Sequence, residues 1–206
     1  MKAFSNETVH TVRESVACRL SEKRLAHVLR VEEEIARMAK LLFPERENEA
    51  RIAALLHDVT KELSREEQIA LCEKQGLLLQ ERDILTFATL HEKSAPAMIR
   101  RDFPECATEE ILNAVRYHAT GRAGMSALEM AVFLADYIEP GRSYAECQKM
   151  RDLFWSEAGL RGGLATLENA VFSVLGKTLI HLAQHSRYVD TETVEAYNFF
   201  VARENQ

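Results

Sequence analysis

Apolar residues recur at three- and four-residue spacing along nearly every long segment of this chain, and strict alternation is absent. On an α-helix that spacing gathers side chains onto one face, whereas a half-buried strand needs a period of two. Only four prolines and eight glycines interrupt the pattern over 206 residues. An all-α fold is therefore expected. With 47% apolar and 28% charged residues the chain has the means to bury a core and is too apolar for disorder. No internal repeat, low-complexity tract or Pro/Ser-rich linker marks a boundary, so one domain over residues 1–206 is expected.

Punctuation residues divide the pattern into helices. Ser21 reads as the N-cap of a helix with the inward stripe His27, Val31, Ile35, Met38 and Leu42, ending before Pro44. A second helix starts near Asn48 and carries RIAALLHDVTKEL, residues 51–63, with His57 and Asp58 inside its apolar run. Ser64 to about Cys72 is helical and Gly76 breaks it. A helix over 81–101 follows, with the stripe Ile84, Ala88, His91, Ala95 and Met98, kinked or split at Pro96. Thr108 caps a helix that places Ile111, Val115 and His118 on one face, and ATGRAG, residues 119–124, forms a loop. Ser126 and Glu129 form a capping box for a helix with Leu128, Val132, Ala135 and Asp136 inward, ending at Pro140. Helices near 144–158, 164–185 and 191–202 then buttress a core spanning about 20–140.

A net charge of −6 argues against nucleic acid as a partner while leaving room for a local basic pocket. Cys18, Cys72, Cys106 and Cys147 are far apart, with no C-x-x-C pair, and read as reduced thiols. The chain shows no N-terminal basic-then-apolar export segment and no stretch near the roughly 20 apolar residues that span a bilayer. A cytoplasmic protein with no membrane partner is expected.

Five predicted helices each present His or Asp among core-like residues: His27, His57 with Asp58, His91, His118 and Asp136. Taken singly each has an ordinary explanation. A lone histidine on an apolar face is usually a hydrogen-bonded core residue, and a lone inward Asp usually caps a helix or pairs with Arg. Together they point to a metal, because a buried carboxylate requires a partner or an ion. Imidazole and carboxylate without thiolate suit iron, manganese, cobalt or zinc better than magnesium. Lys61, four residues past His57 and three past Asp58 on the same expected helix, and Arg24, three residues before His27, are placed to meet an anion held on the metal. Thr120, Arg122 and the free amides of ATGRAG offer further chemistry for phosphate oxygens. His181 and His185 lack the glutamate of H-E-x-x-H, His10 lies in a polar stretch, and P-loop and G-x-S-x-G motifs are absent.

The order His, His-Asp, His, His, Asp is similar to the HD-domain metal-dependent phosphohydrolases. SEKRLAHVLRV at 21–31, AALLHDVTK at 53–61 and VRYHATGRAGMSALEMAVFLADYIEPGR at 115–142 resemble the bacterial YqeK family of symmetrically cleaving diadenosine tetraphosphate (Ap4A) hydrolases. The resemblance runs from about residue 15 to 200, and RYHxTGRxGMS followed by LADYIEPxR is its specific part. It implies an HD-domain helical bundle that converts Ap4A to two ADP by attack of a metal-activated water. Iron would be the cofactor, as one or two ions, with manganese or cobalt as substitutes. His27, His57, Asp58 and Asp136 would be the core ligands, and His91 and His118 would hold a second ion or meet the phosphates. Asp58, Lys61, His91 and His118 would take part in catalysis; Arg24, Lys61, His91, His118, Thr120 and Arg122 would bind substrate. At His91 the chain reads LHEKSAPAM, where the family carries a small, glycine-containing stretch.

Two rivals remain at this level. One is an HD phosphohydrolase of another nucleotide, a deoxynucleoside triphosphate or a guanosine alarmone. The other is a non-catalytic nucleotide- or metal-binding regulator, whose mark would be a lost ligand; none of the six positions is lost. Beyond the dinucleoside polyphosphate substrate and the ADP product, a second copy of the chain in a homodimer is a further candidate partner.

Overall fold

The computed structural model describes residues 4–81, 83, 86–160 and 162–204. They form ten α-helices and two short 3-10 turns, with no strand among the described residues. The helices are α1 (Asn6–Ala17), α2 (Glu22–Leu42), α3 (Glu47–Leu56), α4 (Arg65–Lys74), α5 (Phe87–Asp102), α6 (Glu109–Arg116), α7 (Ala127–Ile138), α8 (Ala145–Ala158), α9 (Gly163–Gln184) and α10 (Thr191–Glu204).

Local chemistry sets most of the helix starts. Ser21, Ser64, Thr108 and Ser126 each accept a bond from the backbone amide three residues on, satisfying a donor that the helix leaves orphaned. At Ser64 and Ser126 the backbone amide in turn donates to the carboxylate of Glu67 and Glu129, completing a capping box.

The short helix α3 sits at the centre, packed against α1, α2, α6 and α7. Ile52, Leu55 and Leu56 on α3, Val31, Ile35 and Met38 on α2, and Leu128, Leu134 and Ile138 on α7 are fully buried and belong to one contiguous apolar cluster. α9 covers α7 and α8, and α10 lies along α9. No helix among the described residues is long and apolar enough to cross a membrane, and all four cysteines are free thiols.

Four expectations are corrected. α1 is a helix missed in a polar stretch: Val9, Val12 and Val16 form a narrow buried stripe, while His10 points outward and pairs with Glu14. The expected helix over 81–101 is interrupted: residues 81 and 83 are helical, Thr86 lies in a turn, and α5 starts at Phe87 and runs unsplit through Pro96; Ile84 lies outside the described residues, and Ala88 is exposed rather than inward. α3 stops at Leu56, so His57 and Asp58 lie beyond it rather than within it. α6 likewise stops at Arg116, two residues before His118.

Candidate metal centre

Those two early helix ends deliver two of the histidines. His57 lies in the C-cap position of α3, and its Nδ1 is 2.6 Å from the carbonyl of Ala54. His118 repeats the device after α6, with Nδ1 2.7 Å from the carbonyl of Val115. A carbonyl only accepts, so in both rings the hydrogen belongs on Nδ1 and Nε2 carries a lone pair. Past each helix the chain continues in tight turns, with Lys61 N donating to Asp58 O at 2.9 Å and Gly121 N to Tyr117 O at 2.9 Å. Lys61 therefore reaches the centre across a turn and not along a helix face.

His27 comes from the second turn of α2 and Asp136 from the last turn of α7. His27 Nδ1 is 3.1 Å from Glu139 Oε1, and its Nε2 is 3.0 Å from Asp136 Oδ1. With the hydrogen on Nδ1, two acceptors face each other at that second contact. Only an added proton or a cation reconciles them.

Asp58 lies between two pairs of histidines and divides its oxygens between them. Oδ2 is 3.4 Å from His57 Nε2 and 3.6 Å from His27 Nε2. Oδ1 is 3.2 Å from His91 Nε2 and 3.7 Å from His118 Nε2, and these two nitrogens are 3.1 Å apart. Burial would raise the Asp58 pKa, but His57, His118 and His91 outweigh it and hold the carboxylate ionised well below its usual range. Asp136 is also held low, burial being outweighed by His27, Arg142 and His57. Burial pushes the His91 imidazole down to about 3, reinforced by His118 and Lys61 and opposed by Asp58.

Basic side chains rim the cluster. Arg24 Nη1 bonds Asp58 Oδ2 at 2.8 Å, while its buried Nε has no protein partner among the described residues. Lys61 Nζ donates to the carbonyl of Ala88 at 2.9 Å and lies 3.2 Å from His91 Nδ1; burial lowers its pKa. Arg142, to which the sequence assigned no role, bonds Asp136 through Oδ1 at 2.6 Å and the carbonyl at 3.0 Å.

Thr120 and Arg122 are placed otherwise than expected. The Thr120 hydroxyl turns to Glu92 and Glu192, and Arg122 grips Glu129 with two bonds of 2.6 and 2.8 Å, bracing the capping box of α7. The amides of Ala119 and Thr120 are not free either: both donate to the buried carboxylate of Glu92, at 2.6 and 3.1 Å. Glu92, whose pKa burial raises, ties the loop after His118 to α5. Glu92→Ala should leave two amides without their acceptor and lower the unfolding free energy by about 2–4 kcal/mol. Urea unfolding measures this, and an unchanged or raised midpoint would show that Glu92 is not the tie.

The donors suit a divalent ion. His27 Nε2 and His57 Nε2 are buried with no hydrogen-bond partner among the described residues. Two groups, His27 with His57 and Asp136, and His57 with Asp58 and His118, each bring their ligand atoms within 4.8 Å of one another. Buried orphan acceptors beside ionised carboxylates are what a cation would satisfy.

Comparison with known proteins gives the same direction. The HD domain family model matches residues 24–141, the stretch that contains all six clustered side chains. A protein of Halalkalibacterium halodurans named symmetrical bis(5'-nucleosyl)-tetraphosphatase is 31% identical, over 87% of this chain and 89% of its own length. Its namesake in Bacillus subtilis is 29% identical over 92% and 97%. A solved HD superfamily hydrolase of Clostridium acetobutylicum, described as involved in NAD metabolism, superposes with a TM-score of 0.82 at 29% identity, covering 98% of this chain and 100% of that one. This chain belongs to the HD domain family.

Proposed function

We propose that the protein is a metal-dependent hydrolase that cleaves diadenosine tetraphosphate symmetrically to two ADP. The observation that carries the reading is the meeting of buried His27, His57, Asp58, His91 and His118 with half-buried Asp136, drawn from five parts of the chain around one divided carboxylate. The names of the relatives supply the substrate.

His27, His57, Asp136 and Asp58 Oδ2 would hold one ion; His118, His91 and Asp58 Oδ1 would hold a second. Iron fits this mixture of imidazole and carboxylate, with manganese or cobalt as substitutes. When bound, such an ion supplies Lewis acidity toward a phosphoryl oxygen and a nucleophile drawn from water at neutral pH. The remaining work falls to the protein. Asp58, anionic in the ground state, fixes the spacing of the two halves of the centre. Arg24, through its unpartnered Nε, and Lys61 offset charge on the tetraphosphate as it grows in the transition state. Arg142 holds the Asp136 carboxylate by one bond to Oδ1 and braces itself by a second to the backbone carbonyl of the same residue, which restrains that carboxylate.

The test is product analysis. Protein loaded with ferrous iron, given Ap4A and followed by ion-exchange chromatography, should yield ADP alone. ATP with AMP would overturn symmetric cleavage. Preferred turnover of a deoxynucleoside triphosphate, a guanosine alarmone or NAD in the same assay would move the substrate elsewhere, and tight ADP binding without turnover would favour a regulator.

A further inference from the structure

The four histidines of the centre are not oriented alike. His57 and His118 lie just past helix ends, where a carbonyl three residues back is available to take the Nδ1 hydrogen. His27 lies inside α2, where the preceding carbonyls are engaged by the helix ladder. Any acceptor for its Nδ1 hydrogen must come from elsewhere in the chain. Glu139, 112 residues away, supplies one at 3.1 Å.

Glu139 is built to stay there. It directly follows α7 and precedes Pro140, which disfavours helical geometry at the residue before it; Glu139 is accordingly extended, with φ −54° and ψ 147°. Its side chain is 2% exposed. Oε1 faces His27, while Oε2 accepts from Arg30 Nε at 2.6 Å and from the amide of Gly141 at 2.5 Å. A Cβ at Gly141 would meet the Arg30 guanidinium, so any side chain there would displace Arg30 from its place beside Glu139. Arg30 is on α2, three residues past His27, so the same helix that presents the imidazole also clamps the carboxylate that orients it.

We infer that Glu139 is the positioning residue of His27: it keeps the hydrogen on Nδ1 and fixes the ring so that Nε2 offers its lone pair to the ion, with Arg30 and Gly141 as its anchors. This rests on the metal centre proposed above. A carboxylate behind a metal-bound imidazole sets the tautomer and raises the basicity of the ligand, and losing one lowers metal affinity about 10–100-fold. Glutamine at 139 would keep an acceptor oxygen and lose the charge, so a smaller loss is expected.

The test uses the full-length protein stripped of metal and titrated with Co2+, followed by visible absorption and by proton NMR of the Co2+ form. Glu139→Ala should weaken Co2+ binding about 10–100-fold and Glu139→Gln by less. In the NMR spectrum one exchangeable, metal-shifted N–H resonance, identified by its absence in His27→Ala, should vanish in Glu139→Ala because that hydrogen now exchanges with water. A role confined to stability would lower the melting temperature and leave that resonance in place. Unchanged Co2+ affinity in Glu139→Ala, or survival of the resonance, overturns the positioning role alone. Failure of the unaltered protein to bind Co2+ overturns the metal centre, and this inference falls with it.

Discussion

Asp58→Ala should reduce Ap4A turnover by about three orders of magnitude or more while leaving the helical circular dichroism nearly unchanged. The first expectation follows from the position of the carboxylate. Oδ2 serves His27 and His57, Oδ1 serves His91 and His118, and removing the side chain dissolves both halves of the centre at once. The second follows from the backbone: residue 58 lies in the turn beyond α3, so no helix hydrogen bond depends on it. Arg24 loses its partner, but its side chain is 30% exposed and can turn to solvent, which limits the cost of the unpaired charge. Asp58→Asn sharpens the test, because it keeps the shape and leaves one neutral acceptor where two anionic ones stood. It should fail nearly as badly, and metal analysis should find it depleted. His57→Ala should match it. Full activity in any of the three would refute the assignment of the centre.

Much of this centre was legible in the sequence because polar groups on an apolar stripe are conspicuous. His27 sits among buried Val31, Ile35 and Met38, and Asp136 on the helix that buries Leu128, Val132 and Ala135, where a polar group without a partner would be costly. The helix starts were legible for a similar reason, since Ser21, Thr108 and Ser126 act within three residues. The unread features depend on contacts that leave no local trace. Whether a helix continues through His57 turns on the competition of an imidazole with the backbone for the carbonyl of Ala54, and periodicity is the same either way. Glu139 carries no signal of its own within LADYIEPxR, because its partner His27 is 112 residues upstream. ATGRAG by sequence resembles a phosphate cradle with free amides, yet Glu92 on another helix already occupies two of them. Arg122 differs in having a near partner: Glu129, seven residues on at the start of α7, takes the guanidinium that the loop would otherwise offer to phosphate.

Removing the metal is the second large perturbation. Treatment with a strong chelator should abolish turnover, and ferrous iron, manganese or cobalt should restore it better than magnesium. Magnesium asks for near-octahedral oxygen ligands and gives up water reluctantly, whereas four of the six side chains here are imidazoles. Stability should fall as well. Without an ion, the lone pairs of His27 Nε2 and Asp136 Oδ1 oppose each other at 3.0 Å unless a proton enters between them. An ion that binds only the native state adds about 2.7 kcal/mol at a free concentration one hundred times its dissociation constant. For a chain of this size that corresponds to about 5–10 °C in melting temperature, within easy reach of scanning calorimetry. The two readouts should move together, because the side chains that lose their cation are the ones that position the reaction. Activity lost with no change in melting temperature would place the catalytic ion outside this buried cluster, and restoration by magnesium ahead of iron would show that the histidines are not its principal ligands.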